Sequence, residues 1–316
     1  MSQHQQANKA SGNEIDLREL FRIIWAGKWI IIAVTFVFAV ISVMYALSLP
    51  NVYQAEAKLA PTKESQGNSL SAMSGQLGGL ASLAGFSMPV GEVDNAQMAQ
   101  EILKSRAFIT EFVQRRDVLK DLMAVQEWVY HTGELRYDPE IYDTSTGEWV
   151  REVEPPQQSV PSAWEYVKAF RDLLSVTQDT TTGIVSVRIE HQSPVIAKQW
   201  IEWLIEDINN EMRRRDIEEA QRSISYIERE LERARLTNTQ QVYSALLEQQ
   251  TQTIMLANVR PEYVFRVIDP AVAPEEKARP SRAIIAIVGT FFGGLLSLFI
   301  VLIRNAFRTK EETLSK

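Results

Sequence analysis

The sequence predicts an α+β membrane protein: two transmembrane helices enclosing one outer α/β base domain with a long helical arm. Three observations predict it. Ala283 to Ile303 is twenty-one residues without a charge, fourteen of them Ile, Val, Leu or Phe. Trp29 to Leu49 is a second uncharged apolar run. Between them lies a polar stretch whose helical periodicity near its C-terminal end persists too long for a compact domain of this size. At about 1.5 Å per residue each apolar run matches a hydrocarbon core of roughly 30 Å. The fourteen large apolar side chains of the second run contribute roughly 4 to 8 kcal/mol to insertion before Gly, Ser and Thr subtract from it.

Composition excludes several classes. A net charge of -7 disfavours a nucleic-acid partner, which needs a concentrated basic face. The clusters Arg213-Arg214-Arg215 and Arg229 to Arg235 are interleaved with Glu, the pattern of a solvated helix face. The absence of cysteine removes disulfides, thiol catalysis and thiolate metal sites.

In chain order, residues 1–28 form a polar tail with an interfacial helix. Leu17, Leu20, Phe21 and Ile24 share one face of that helix, and Trp25 and Trp29 sit at membrane-surface positions. Residues 29–49 are the first span. A cleaved signal peptide competes, because Ala46-Leu47-Ser48 faintly resembles a cleavage site, but the apolar run and the stretch before it are both long for one. Lys9, Arg18, Arg22 and Lys28 precede the span and only Lys58 and Lys63 closely follow, which keeps the N-terminus cytoplasmic. Residues 50–282 then face outward, 283–303 return as the second span, and 304–316 are a cytoplasmic tail.

Within the outer domain, Asn51 to Pro61 reads as a strand with Tyr53, Ala55, Ala57 and Leu59 on one face. Glu64 to Asn95 is rich in Gly and Ser and reads either as a loop or as a surface packing on a neighbouring subunit. Ala96 to Met123 is helical with a break at Asp117. Glu127 to Pro161 mixes Trp128, Tyr130, Tyr137, Tyr142 and Trp149 with turns, a content shared by carbohydrate sites and small irregular cores. Ser162 caps a helix with Glu165 three residues on. Strands at Leu174 to Thr177 and Ile184 to His191 follow across a turn. Ser193-Pro194 opens the long helix, from 194 to about 258, with a break near Leu236 to Thr239 left open.

From Ile217 the arm carries Ile217, Ala220, Ile224, Ile227, Leu231 and Ala234 at alternating spacings of three and four, a coiled-coil seam. Run continuously, the arm would extend roughly 95 Å, so it needs packing partners. Tyr263 to Asp269 alternates as a returning strand, and Pro270, Pro274 and Pro280 lead to the second span. Gly289, Gly293 and Gly294 in that span allow close helix approach, either to the first span or to another membrane protein.

Motifs for catalysis are missing: His4, His131 and His191 have no metal-ligand spacing, and neither a nucleophile elbow nor a phosphate loop occurs. Neither a cofactor nor an enzymatic activity is expected.

Ile15-Asp16-Leu17 through Gly27-Lys28-Trp29, Tyr53-Gln54-Ala55-Glu56-Ala57, His191-Gln192-Ser193-Pro194 and Pro270 to Arg282 with the glycines behind them resemble, in order and spacing, the Wzz-type chain-length determinants of lipopolysaccharide O-antigen, the polysaccharide co-polymerases. The resemblance implies an inner-membrane homo-oligomer, arranged as a ring, whose partners are an O-antigen polymerase and the growing lipid-linked polysaccharide. It implies a scaffold that sets how far the polymerase extends the glycan. Two other readings stand beside it: the co-polymerase of a capsule or exopolysaccharide tyrosine-kinase system, and a two-span periplasmic sensor.

Overall fold

The computed structural model describes residues 17–62, 95–233 and 237–314. The Gln-rich start and the Gly/Ser-rich segment after Lys63 lie outside them. The chain divides into two compact units. One comprises residues up to Pro50 together with Pro280 onward, and the other runs from Asn51 to Arg279.

The first unit contains α1 (Leu17–Ala26), α2 (Lys28–Ser48) and α9 (Arg282–Leu314). Both α2 and the segment Arg282–Asn305 are long and apolar enough to cross a membrane and are almost unburied within the chain. That exposure separates them from core helices of soluble proteins, which bury such residues. In α1 the exposed Phe21 and Trp25 rings stack 6.1 Å apart, and the Lys28 ammonium sits 4.8 Å from the Trp25 ring, as an interfacial helix requires. Helix α9 continues through the expected tail to Leu314.

The second unit contains β1 (Tyr53–Pro61), α3 (Asn95–Leu103), α4 (Arg106–Arg115), α5 (Leu119–Met123), β2 (Val125–Val129), β3 (Glu134–Tyr137), β4 (Tyr142–Asp143), β5 (Glu148–Trp149), α6 (Ala163–Leu173), β6 (Leu174–Gln178), β7 (Val185–His191), α7 (Pro194–Arg233), α8 (Thr237–Val259) and β8 (Phe265–Asp269). Strands β6, β7, β1 and β8 form one antiparallel sheet in that order, with Ala57 opposite Val187 and Leu59 opposite Val267. The predicted alternation holds: Ala55, Ala57 and Leu59 of β1 and Val185, Val187 and Ile189 of β7 are buried. They face the first half of α7, which contributes Trp200, Ile201, Leu204, Ile208 and Met212, with Phe112 of α4 and Phe170 of α6. The intervening positions are polar, and Arg188 pairs with Glu56 across the strands at 2.9 Å. This is one layer of helices on one sheet, the second face being wettable.

The helical stretch expected over Ala96 to Met123 breaks twice. Ser105 caps α4 by accepting from Phe108 N–H, which stops α3, and Asp117 adopts φ 50°, which ends α4. At the β6–β7 turn Gly183 has φ 72° while Asp179 Oδ1 accepts from Thr181 and Thr182 N–H.

The long helix is two helices. Helix α7 ends at Arg233, α8 starts at Thr237, and the two pack against each other. Of the two readings the sequence leaves open, the continuous run to residue 258 gives way to the broken one: α8 packs along α7 and covers part of the seam, burying Ala220 and Ile227. Asn209 on α7 closes the hairpin. Its buried carboxamide oxygen accepts from Tyr263, Val264 and Phe265 N–H at 3.1, 2.8 and 3.0 Å, while Nδ2 donates to Phe265 carbonyl at 3.1 Å. One side chain thus satisfies the start of β8.

Two further buried polar groups are paired. Asp207 receives Arg116 through two nitrogens at 2.7 and 3.3 Å and Arg115 at 3.0 Å, tying α4 to α7. His191 accepts from Ser193 N–H on Nδ1, so Nε2 carries the hydrogen and donates to Asp121 carbonyl, both at 2.9 Å. Burial depresses its pKa below the ordinary 6.5, and protonation would point a second N–H at that of Ser193.

Asn209→Ala leaves three buried N–H groups without that acceptor. It should cost about 3 kcal/mol or more and lower the melting temperature of the detergent-purified protein by on the order of 10 °C. As pH falls through 6.5 the unfolded chain takes up a proton at His191 before the folded chain does. Stability should therefore drop from there down to the folded value and level off below it, and melts of His191→Gln across the same pH series should lack that component.

Candidate functional site

The expected functional surfaces are the glycine-bearing span, the proline segment before it and the arm seam. In the membrane unit, α2 and α9 pack antiparallel: Gly27 lies against Val301, Thr35 against Gly294, Phe38 against Gly293 and Ser42 against Gly289. A Cβ on Gly293 would stand 2.5 Å from Phe38 Cβ, and one on Gly289 would enter the Ser42 side chain. The glycine face is therefore filled by the chain's own first span, as close helix approach in lipid favours. Gly294 has ordinary room, a Cβ there meeting Thr35 Oγ1 at 3.9 Å. Sequence reading missed Gly27, where a Cβ would come within 2.5 Å of Val301 Cγ1; its signal was a lone glycine at the joint of two apolar helices. With the glycine face occupied, Ile287, Phe291, Phe292, Leu295 and Phe299 remain exposed on α9.

Pro270 and Pro274 lie in a connection without helix or strand, since proline lacks the N–H either would use. Ala271 beside them is buried. Val52 N–H donates to Arg279 carbonyl at 2.9 Å and Ala278 N–H to Val52 carbonyl at 2.8 Å, while the Arg279 guanidinium reaches Glu190 at 3.1 Å. These contacts hold the two ends of the outer unit together. Pro280 opens the membrane unit, its carbonyl accepting from Arg282 N–H.

On the arm, Ala220 and Ile227 are buried and Ile217, Ile224 and Leu231 are half-buried; Ala234 lies outside the described residues. Helix α8 answers with Tyr243, Leu247, Gln250, Ile254 and Ala257 as its less exposed stripe, spaced four, three, four and three. Arg213, read from sequence as one of three solvated arginines, instead donates to the Arg260 and Pro261 carbonyls, both at 2.8 Å, and so caps the C-terminal end of α8. Tyr263 hydroxyl donates to Asp216 Oδ2 at 2.5 Å, and burial raises both pKa values. Arg214 and Arg215 do pair with Glu211, at 2.7 and 2.6 Å, along the helix surface.

The aromatics of 127–161 separate into two groups. Tyr137, Tyr142 and Trp149 pack edge-on to one another and are half-buried, the arrangement of a small core for the two hairpins. Trp128 lies between Tyr53 and the exposed Tyr130, with ring centroids 5.5 and 5.7 Å away. Among the described residues no cluster of His, Asp or Glu is arranged to hold a metal ion.

The chain thus combines two antiparallel helices apolar enough to span a membrane, an α/β unit with its ends joined and a helical hairpin. Residues 13–115 match the family model for the Wzz chain length determinant protein, and residues 229–306 match that for GNVR, the G-rich domain on putative tyrosine kinase. The Wzz match bears out the Wzz-type resemblance drawn from the sequence. Of solved structures, a full-length bacterial polysaccharide co-polymerase aligns over 93% of this chain and 99% of its own, at 14% identity and a TM-score of 0.40. A fragment of WzzB, a polysaccharide co-polymerase from Salmonella Typhimurium, aligns over 72% of this chain and 100% of its own, at 14% identity and a TM-score of 0.29. Superpositions this loose add no weight beyond the family models. No curated protein matches the chain.

Cysteines placed at Thr35 and Gly294 should crosslink within one chain on mild oxidation, because a Cβ on Gly294 faces Thr35 Oγ1 at 3.9 Å; a shift in gel mobility reversed by reductant reads it. The same cysteines should crosslink much less in a Gly293→Leu background, where the added side chain wedges α9 away from Phe38.

Proposed function

We propose that this protein regulates the length of O-antigen polysaccharide as a non-catalytic, oligomeric scaffold in the bacterial inner membrane, working on a separate polymerase. Both termini are cytoplasmic and residues 50–282 periplasmic. The observation that carries the reading is the Wzz chain-length-determinant match over residues 13–115. It begins before the interfacial helix and runs through the first span and β1 into α4.

The chemistry of the surfaces supports a scaffold. The outer unit has its two ends bonded together through Val52 and Arg279, and each end continues into a span, so the unit is anchored at both. Protomers joined head-to-tail close into a ring if their rotation permits it, which gives one assembly many identical outer surfaces for one growing chain. The polymerase is held at the second span. Since Gly289 and Gly293 are taken up by α2, the partner is met by the aromatic face of α9, with Phe291, Phe292 and Phe299 as its large side chains and the glycines setting the angle at which that face is presented.

The GNVR match over the end of α7, all of α8, β8, the proline segment and the second span favours one other reading, a co-polymerase of a capsule or exopolysaccharide tyrosine-kinase system. Deleting the gene separates the two. The O-antigen reading expects the ladder of lipopolysaccharide bands to lose its preferred length while capsule or exopolysaccharide yield is unchanged; the kinase-system reading expects the reverse.

Phe291→Ala combined with Phe292→Ala should broaden the band distribution although the protein still inserts and oligomerises, as checked by gel electrophoresis of lipopolysaccharide beside native gels of the extracted protein. A normal ladder would rule out that face of α9.

A further inference from the structure

One surface of the outer unit has the make-up of a ligand site and belongs to none of the features above. Trp164, in the first turn of α6, is 68% exposed although tryptophan is among the side chains with most to gain from burial. It borders an open cleft of about 650 Å³ lined also by Glu154, Pro155, Pro156, Gln157, Gln158, Ser162 and Glu165, a volume within the range of about 300 to 1,000 Å³ usual for small-ligand sites.

The frame of this cleft is fixed by one side chain. Arg151 donates to the Ser159 carbonyl at 2.7 Å and the Gln158 carbonyl at 2.8 Å, and forks onto Glu165 at 2.8 and 3.0 Å. Glu165 in turn accepts from Ser162 N–H at 2.8 Å and completes the capping box of α6. That pairing with Arg151 holds the Glu165 carboxyl down at about 2, so it stays ionised and committed to the frame. The loop from 151 to 162 is thereby locked onto the helix that carries Trp164, and a ligand would pay little to order it.

What the frame leaves unused is informative. The side chains of Glu154, Gln157 and Gln158 are exposed, and none makes a hydrogen bond among the described residues. The nearest arginine is spent on Glu165 and two carbonyls, and the cation beside the indole is Lys168, whose ammonium stands 5.7 Å from the Trp164 ring centroid. An exposed indole beside two amides, a carboxylate and the Lys168 ammonium matches a ring with one apolar face and hydroxyls at its rim. The carboxylate accepts hydroxyl hydrogens, and each amide both donates and accepts.

We propose that this cleft binds sugar residues of the growing glycan, stacking a pyranose ring on Trp164 while Glu154, Gln157 and Gln158 take its hydroxyls. The inference rests on the scaffold reading and adds where on the outer unit the glycan is gripped. Every subunit of an assembly would carry one such grip, so a weak site repeated over several copies would retain a long chain better than a short one.

The test uses the full-length protein in lipid nanodiscs and, as probe, the polysaccharide released by mild acid from the lipopolysaccharide of the producing cell. Calorimetric titration should show binding to the wild type. Trp164→Ala should weaken it by about tenfold or more, Glu154→Gln by less, and Val160→Ser, an exposed neighbour outside the cleft, not at all. Melting temperatures should be unchanged for all three, since each side chain is exposed. In cells Trp164→Ala should shift the preferred glycan length. Equal affinity of wild type and Trp164→Ala, or no binding by the wild type, overturns the cleft. If gene deletion alters the length profile while Trp164→Ala leaves both binding and profile as they were, the scaffold reading stands and the cleft alone fails. If deletion leaves the profile untouched, the scaffold reading itself fails.

Discussion

The outer unit depends on the grip of Asn209 on the three successive N–H groups that begin β8. A chain that leaves the core along α7 for some twenty residues past Met212, turns and comes back must be caught on its return. Val264 and Phe265 enter the core there, and Asn209 fixes the backbone that carries them. A carboxamide can accept several N–H hydrogens and donate to a carbonyl at once, and its burial makes each bond matter more than it would in water. With β8 seated beside β1, the next residues bring Arg279 back to Val52. The arm, the sheet edge and the joined ends are consequences of one buried amide.

The same logic of one residue fixing two elements recurs. Asp207, two residues earlier, is the anion that two arginines at the end of α4 converge on. Its cost of burial is met by three charge-assisted bonds, and only the loss of both arginines would leave an uncompensated charge. Arg213, one turn after Asn209, supplies the carbonyls at the end of α8 with donors that the helix itself lacks. The middle of α7 is therefore a polar spine joining the helical layer, the sheet and the hairpin. Its neighbours Ile208 and Met212 carry the apolar contact.

In the membrane unit the governing fact is the absence of side chains. Three glycines, one at the α1–α2 joint and two on α9, each oppose a larger residue, and a single methyl at any of them would overlap its neighbour. Without water, helices in lipid gain from contact only when backbones approach closely. These glycines therefore decide which faces of the spans remain for lipid or for another protein. The second glycine signal, so visible in sequence, marks a surface already filled. What remains for partners is the opposite, aromatic side.

Much of this was legible in the residues themselves. The two spans follow from runs of uncharged apolar residues, and their lack of burial separates them from core helices. The strands follow from alternation at Ala55, Ala57 and Leu59 and at Val185, Val187 and Ile189, and the start of α6 from Ser162 and Glu165, because period and capping are local properties. Local signals also explain what stayed undecided: helical periodicity runs up to Ala234, so sequence alone leaves open whether one rod or two helices follow. Whether a seam meets a partner protein or a later stretch of its own chain is not a local property, and neither is the assignment of Arg213 to a carbonyl cap or of Gly289 to the first span. Sequence determined that the chain has two membrane anchors, a sheet and a seam-bearing helix. Only the tertiary structure decided that the seam is closed from within, that the glycine face is occupied and that Trp164 is left bare beside a rigid cleft, since each depends on which distant residue arrives at that surface.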